Sequence, residues 1–258
     1  MTRIIAILNE KGGTAKTTTA VNVGHALARA GKKTLLVDLD PQGNATQHLG
    51  VEFETSTYHL LTDAAPLEKC LRKARENLDI LPSNKNLFAA ELHMNSQAGR
   101  ELILRNKLDA ILDKYEFILV DCAPSLSVLS HNALALCREA LVPVSMDYLS
   151  LAGLSSVERT INTIKRALNH EVTITGIIPT LFDGRVSASH DILATLEKEW
   201  PGLVLPTIRV NSKLREAPKH KKTIFEHAPE SRGADDYTKL AQHIINMEAE
   251  SHGKENTQ

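Results

Sequence analysis

Lys16 and Thr17, with Gly12 and Gly13 close before them, are the residues of this 258-residue chain best placed to handle phosphate. They lie in Asn9-Glu10-Lys11-Gly12-Gly13-Thr14-Ala15-Lys16-Thr17-Thr18-Thr19, which follows a short apolar run and opens a helical pattern. A helix start presents free backbone N–H groups and the positive end of a dipole, and both favour an anion. The N–H groups of Gly12, Gly13, Thr14, Ala15, Lys16, Thr17 and Thr18 are therefore candidates to cradle phosphates. Lys16 would place a compact cation on the outer phosphates, and Thr17 Oγ1 would bind Mg²⁺. The standard template G-x-x-x-x-G-K-[ST] is not met, because Glu10 and Ala15 occupy its glycine positions. The bland reading is a plain Gly12-Gly13 turn followed by a solvated lysine.

Three carboxylates could complete such a site. Asp38 and Asp40 straddle Leu39, so on a strand both point to one face, and Pro41 then stops the strand. Asp38 is the better placed for the hydration shell of Mg²⁺, although capping the following turn would also use it. Asp121 closes the apolar run 117–120, where an unpartnered carboxylate is costly. Mg²⁺ through a water is its natural partner, with helix capping as the other reading. Eleven histidines scatter without an HxH or HxxxH pair, so a metal site built on them is disfavoured. Cys122 has no histidine near it in sequence and reads as a small strand residue.

These groups need strands that end together and helices that begin there. Strand patterns fall at 3–8, 34–38, 78–81, 117–121, 140–145 and 173–179, with a weaker one at 203–206. Most are unbroken apolar runs, as in parallel strands covered on both faces. Helical patterns lie between them at 17–30, 100–114, 127–137, 154–168, 187–199 and 234–248, and Gly31 stops the first. The alternation predicts an α/β fold: a doubly wound, mostly parallel sheet with helices on both faces and ligands at the carboxyl ends of the strands. One domain is expected over 1–249, followed by a polar, disordered tail at 250–258.

Composition narrows the class further. With 42% hydrophobic and 24% charged residues, the chain is neither disordered nor fibrous. Three widely spaced cysteines argue against a disulfide framework or a zinc site and for the reducing cytosol. No apolar stretch is long enough to span a bilayer, and the N-terminal run ends too early for a signal peptide. Aromatic residues make up 4%, which disfavours a base-stacking single-strand binder.

Five ordered segments together resemble the ParA/MinD class of P-loop ATPases, over nearly the whole chain. Lys11-Gly12-Gly13-Thr14-Ala15-Lys16-Thr17 matches its deviant Walker A pattern K-G-G-x-x-K-[ST]. Val37-Asp38-Leu39-Asp40-Pro41-Gln42-Gly43-Asn44-Ala45-Thr46 resembles the second motif, and Ile118-Leu119-Val120-Asp121-Cys122-Ala123-Pro124-Ser125 the Walker B strand. Pro179-Thr180-Leu181-Phe182-Asp183-Gly184-Arg185 and Leu214-Arg215-Glu216-Ala217-Pro218 resemble stretches of chromosomal Soj-type ParA proteins. The resemblance implies a P-loop NTPase that takes ATP and Mg²⁺ and uses Lys11, Lys16 and Asp40 in catalysis. It places Lys11 across an ATP-dependent homodimer interface, on the partner's phosphates, where two polyanions would otherwise repel. It gives Asp40 the attacking water, and puts adenine near Pro179, Thr180 and the 209–211 segment. Two departures stand out: the proline usual in Soj-like proteins is missing from 209–211, and Ala15 replaces a glycine. A methyl group at position 15 is tolerable where φ is negative, so altered affinity or kinetics is expected rather than loss of binding.

The net charge is −1, so any attraction for nucleic acid must come from a local patch. Arg209, Lys213, Arg215, Lys219, Lys221 and Lys222 stand against Glu216 alone within 209–222. By resemblance, Arg185 and Lys213 match positions used for non-specific DNA binding; a solvated basic loop without a ligand is the other reading. The expected function is partition: an ATP dimer on non-specific double-stranded DNA, nucleoid-associated in the cytoplasm, released when a ParB-like partner stimulates hydrolysis. A MinD-like membrane regulator is the alternative. That class ends in a basic amphipathic helix, whereas Met247-Glu248-Ala249-Glu250-Ser251-His252-Gly253-Lys254-Glu255 is too acidic and polar for a stable anchor. A non-enzymatic nucleotide scaffold is disfavoured by the presence of Lys11, Lys16 and Asp40.

Overall fold

Alternate residues of the central strands feed two separate cores, which is what unbroken apolar runs are for. The computed structural model describes residues 2–125 and 127–255. Its strands are β1 (Arg3–Ile7), β2 (Thr34–Leu39), β3 (Arg72–Arg75), β4 (Leu78–Leu81), β5 (Phe117–Cys122), β6 (Glu139–Ser145) and β7 (Thr173–Thr180). They form one sheet in the order β3-β4-β2-β5-β1-β6-β7, parallel throughout except for the antiparallel β3–β4 pair. Ile5, Ile7 and Leu36 pack with one cluster, Ala6, Leu35, Val37 and Leu39 with the other. The fold is the doubly wound α/β sheet that the alternation implied.

The helices are α1 (Lys16–Arg29), α2 (Asn44–Leu49), α3 (Thr57–Leu61), α4 (Leu67–Cys70), α5 (Leu87–Asn95) and α6 (Ile103–Leu108). They continue as α7 (Val128–Leu136), α8 (Tyr148–Leu168), α9 (Ser187–Glu199), α10 (Ser212–Glu216), α11 (Ile224–His227) and α12 (Arg232–Glu255). One core joins α1 to α12 through Val21, Val23, Leu27, Tyr237, Leu240 and Ile244. The other takes Met94 from α5, Leu104 from α6, Leu134 from α7, Val157 from α8 and Leu196 from α9.

Several expectations need correcting. The segment 203–206 is not a strand; Val204 makes only an isolated bridge to Ile177 on β7. β3 was not expected, because Arg-Lys-Ala-Arg has no apolar alternation; it survives as a charged edge. The helical pattern at 100–114 breaks into 3₁₀, α and 3₁₀ segments. α12 runs on to Glu255, into the stretch expected to be a disordered tail, and residues 256–258 lie outside the described residues.

Both edges of the sheet are occupied. At β3 the Arg75 guanidinium meets Glu226, Leu49 O and Lys221 O, and β7 is covered by backbone bonds from Leu205 N to Ile177 O (2.8 Å) and from Ile177 N to Leu203 O (2.7 Å).

Candidate active site

The parallel register sets Asp38 of β2 directly beside Asp121 of β5, and Asp121 beside Ile7 of β1, where the chain leaves the sheet for the glycine loop. Loop, second motif and third carboxylate therefore converge at the carboxyl ends of three adjacent strands.

The two aligned carboxylates differ. Asp38 is committed to its own turn: Oδ2 accepts from Thr46 N (2.9 Å) and Thr46 Oγ1 (2.7 Å), and Oδ1 from Asp40 N (3.3 Å). Burial still raises its carboxyl to about 6. Asp121 is fully buried and neither of its oxygens has a hydrogen-bond partner. Burial and the Asp38 charge push its carboxyl well above the usual range, with the Thr17 hydroxyl and Lys16 easing it only in part. Asp38 thus makes the turn-capping bonds, while the carboxylate oxygens without partners are those of Asp121, beside Thr17. Buried polar groups without partners are rare, and a divalent cation is what two free carboxylate oxygens and a hydroxyl suit. Among the described residues no cluster of His, Cys, Asp and Glu could hold a metal alone, so phosphate oxygens would have to share it. Asp40 is also buried; its Oδ1 accepts from Gln42 N at 2.8 Å, and no other bond to its carboxylate is made among the described residues.

The loop itself is open where phosphates would sit. A Cβ on Gly12 or Gly13 would meet nothing within 4 Å. Lys16 is nearly buried, its Nζ donating to Lys11 O at 2.9 Å, and burial pulls its ammonium below the usual range against the pull of Asp121. Asn9 fastens the segment to the sheet: its Nδ2 donates to Pro143 O (2.8 Å) and its Oδ1 accepts from Lys11 N (2.9 Å).

Ala15 departs from expectation. Its φ is 64° and ψ 29°, the left-handed region, so the condition under which a methyl group is tolerable is not met. An L-residue there costs about 1–2 kcal/mol. Ala15→Gly is expected to stabilise the protein by about 1 kcal/mol, a rise of roughly 2–4 °C in melting temperature. Calorimetry without nucleotide checks this; an unchanged or lowered melting temperature would show that the loop is relaxed with alanine.

Lys11 is held in its own chain. Its Nζ donates to Asp147 Oδ1 and, at 3.0 Å, to Ser150 Oγ. Asp147 occupies the N-cap position of α8 but gives its carboxylate to Lys11, Ser145 and Ser150 instead. Burial works to raise its carboxyl, and these bonds hold it below the usual range. Glu10 is fixed alongside by Ser156 Oγ (2.5 Å) and Thr160 Oγ1 (3.0 Å) of α8. None of these α8 partners was singled out in the sequence. A Ser-x-Asp-x-x-Ser pattern at a helix start was the available signal, and it reads as ordinary capping.

The adenine candidates are placed differently from one another. Thr180 is buried and its Oγ1 donates to Thr14 O at 3.1 Å, so it braces the glycine loop from the end of β7. Pro179 O accepts from Ile208 N at 2.7 Å. Arg209 is tied to Asp236 and Asp235 of α12 and contributes little free charge.

The other basic residues are exposed. Arg185 pairs with Asp183 (2.7 Å) and Lys213 with Glu216 (2.8 Å). Among the described residues Arg215, Lys219, Lys221 and Lys222 pair with no carboxylate. Val210 N donates to Phe182 O at 2.9 Å, which brings the Arg185 loop beside the start of this segment.

The chain is similar to known proteins over most of its length. A family model described as an AAA domain matches residues 2–174. The chain is 41% identical over 245 residues to the chromosome-partitioning ATPase Soj of Thermus thermophilus, covering 94% of this chain and 95% of the relative. It is 39% identical over 249 residues to the sporulation initiation inhibitor protein Soj of Bacillus subtilis, covering 95% and 98%. Among solved structures, the septum site-determining protein MinD of Pyrococcus horikoshii complexed with Mg-ADP superposes with a TM-score of 0.81 at 28% identity, covering 95% of this chain and 96% of that one.

Proposed function

The chain belongs to the ParA/Soj family of partition ATPases, and from that premise we propose that its ATP-bound homodimer holds double-stranded DNA non-specifically until a ParB-like partner stimulates hydrolysis. The observation that carries this reading is the set of exposed cations Arg215, Lys219, Lys221 and Lys222, which pair with no carboxylate among the described residues, on the same chain as a phosphate loop. Such a surface takes phosphates without reading bases. Its place of action would be the cytoplasm, on the nucleoid. Among the described residues no helix is long and apolar enough to cross a membrane.

In the site, Lys16 and the loop amides bind the ATP phosphates, and Asp40 orients the attacking water from the end of β2. Thr17 and Asp121 would hold Mg²⁺, which when bound supplies positive charge to the phosphate oxygens. Lys11 leaves Asp147 and Ser150 to meet the partner's nucleotide, so dimer formation exchanges one charge pairing for another. Phosphoryl transfer needs positioning and charge neutralisation more than covalent help from the protein.

The test is binding to unrelated duplexes across a salt series, with ATP and with ADP. If four cations of each protomer neutralise one phosphate apiece, the log–log salt slope of the ATP dimer is about −7, and the ADP form shows about half that. Arg215→Glu is expected to weaken binding to every duplex alike and to make the slope shallower. Equal affinity in the two nucleotide states, or a marked preference for one sequence, would refute the reading.

A further inference from the structure

Thr46 and His48 lie two residues apart on α2, yet one bonds Asp38 at the end of β2 and the other the basic turn. Thr46 donates through both its N–H and its hydroxyl to Asp38 Oδ2. His48, 3% exposed, places Nε2 3.1 Å from the carbonyl oxygen of Lys222, which fixes that nitrogen as the protonated one. Resting on the DNA-binding reading above, we propose that α2 links the phosphate site to the DNA surface, with His48 and Arg75 as the positioning residues that hold the Lys221–Lys222 turn to it.

The residues that follow the turn are anchored on α1, where Ile224 N donates to Asn22 Oδ1 (2.8 Å) and Thr223 Oγ1 meets His25 Nδ1 (2.6 Å), so His48 and Arg75 are its side-chain ties to α2. Lys221 is itself left-handed (φ 54°), closed by Lys221 N to Pro218 O and Lys222 N to Ala217 O bonds of 3.0 and 3.2 Å. Arg75 reaches in from β3, donating to Leu49 O at the end of α2 (3.2 Å) and to Lys221 O (3.1 Å), with its guanidinium anchored on Glu226. Gly50, which ends α2, touches the same residue: a Cβ there would stand 2.6 Å from Lys221 Cβ.

The other end of α2 is equally constrained. Gly43 precedes it at φ 63°, and a Cβ at that position would lie 2.5 Å from Ser83 O. Ser83 N donates to Thr46 Oγ1 at 2.9 Å, and Ser83 Oγ donates to Asp40 O at 2.8 Å. A helix this short, pinned at both ends, shifts as one piece. A displacement of the Asp38–Asp40 strand end on filling the phosphate site is therefore passed to the carbonyls of Lys221 and Lys222. Burial lowers the His48 imidazole to about 4, so it acts as a neutral donor and adds no charge to the DNA surface.

The experiment compares full-length wild type, His48→Leu, His48→Gln and Arg75→Met. For each, it measures nucleotide affinity, ATP-dependent dimerisation by sedimentation, and duplex affinity with ATP and with ADP. Coupling between sites commonly amounts to about 5–150-fold. His48→Leu keeps its shape but loses the donor: it is expected to bind ATP and dimerise normally while its ATP-state duplex affinity falls at least about fivefold. His48→Gln restores an N–H donor and is expected to recover most of the loss. Arg75→Met, on the edge strand, is expected to reproduce the loss without disturbing the core, which covers the case of a poorly folded His48→Leu. Because binding couplings are reciprocal, DNA should tighten ATP binding in wild type and do so less in both weakened variants. If wild type switches with nucleotide and His48→Leu and Arg75→Met switch equally well, the link through α2 is overturned while the DNA reading stands. If wild type itself fails to switch, both fall.

Discussion

Asp40→Ala is expected to lower ATP turnover by about 10²–10⁴-fold, the range typical of a lost positioned acid or base, while ATP binding persists and the proposed dimer accumulates. The expectation follows from where Asp40 sits. It is buried at the end of β2, and only the Gln42 amide among its described partners engages the carboxylate. The remaining oxygen is free to orient water. Lys16, Thr17 and the glycine loop lie on a different segment and are untouched by the substitution, so nucleotide affinity is preserved. Size-exclusion chromatography with ATP shows a persistent dimer if this is right, and phosphate release gives the rate. Turnover at the wild-type rate would move the water-positioning role to another residue.

Asp121→Asn has two opposed effects, and their combination is diagnostic. Without nucleotide the variant is expected to be more stable than wild type by about 1–3 kcal/mol, because the buried carboxyl must give up its charge or hold it beside Asp38 and an amide does neither. That corresponds to several degrees at roughly 2–4 °C per kcal/mol for a domain of this class. An amide replaces a carboxylate whose oxygens have no hydrogen-bond partner and which crowds Asp38. With Mg²⁺ and ATP the order reverses: the variant loses most of its hydrolysis and gains less thermal protection from the ligand. A variant that is less stable without nucleotide would mean that Asp121 is structurally satisfied by Lys16 and Thr17, and the metal assignment would go with it.

What could be read from the sequence was whatever depends on neighbours along the chain. The parallel strands were legible because burial on both faces leaves unbroken apolar runs such as Phe117-Ile118-Leu119-Val120, and the loop because its amides, lysine and hydroxyl come from consecutive residues. The hold on Lys11 was not legible, since Asp147 and Ser150 are far away in sequence and their spacing looks like a helix cap. The conformation of Ala15 was announced only by the glycine that the template has at that position, since alanine itself is common in ordinary helix starts. Charge counting over 209–222 overstated the free positive charge: Arg209 is consumed by Asp235 and Asp236, which lie beyond that window. β3 was invisible for the opposite reason, as an edge strand keeps its charges and needs no apolar pattern.

That charged edge bears on how crowded the protein can become. A sheet with an open, apolar border offers its unpaired amides to the border of a neighbouring molecule and invites stacking into fibres. Here Arg72, Lys73 and Arg75 line one border, and the 203–205 segment is already bonded along the other. Two copies cannot zip their sheets together without burying like charges at one end or displacing existing backbone bonds at the other. Such borders disfavour edge-to-edge stacking of neighbouring molecules. Neutralising the β3 border, for instance with Lys73→Val, is expected to reveal itself as turbidity at concentrations where the unaltered chain stays clear.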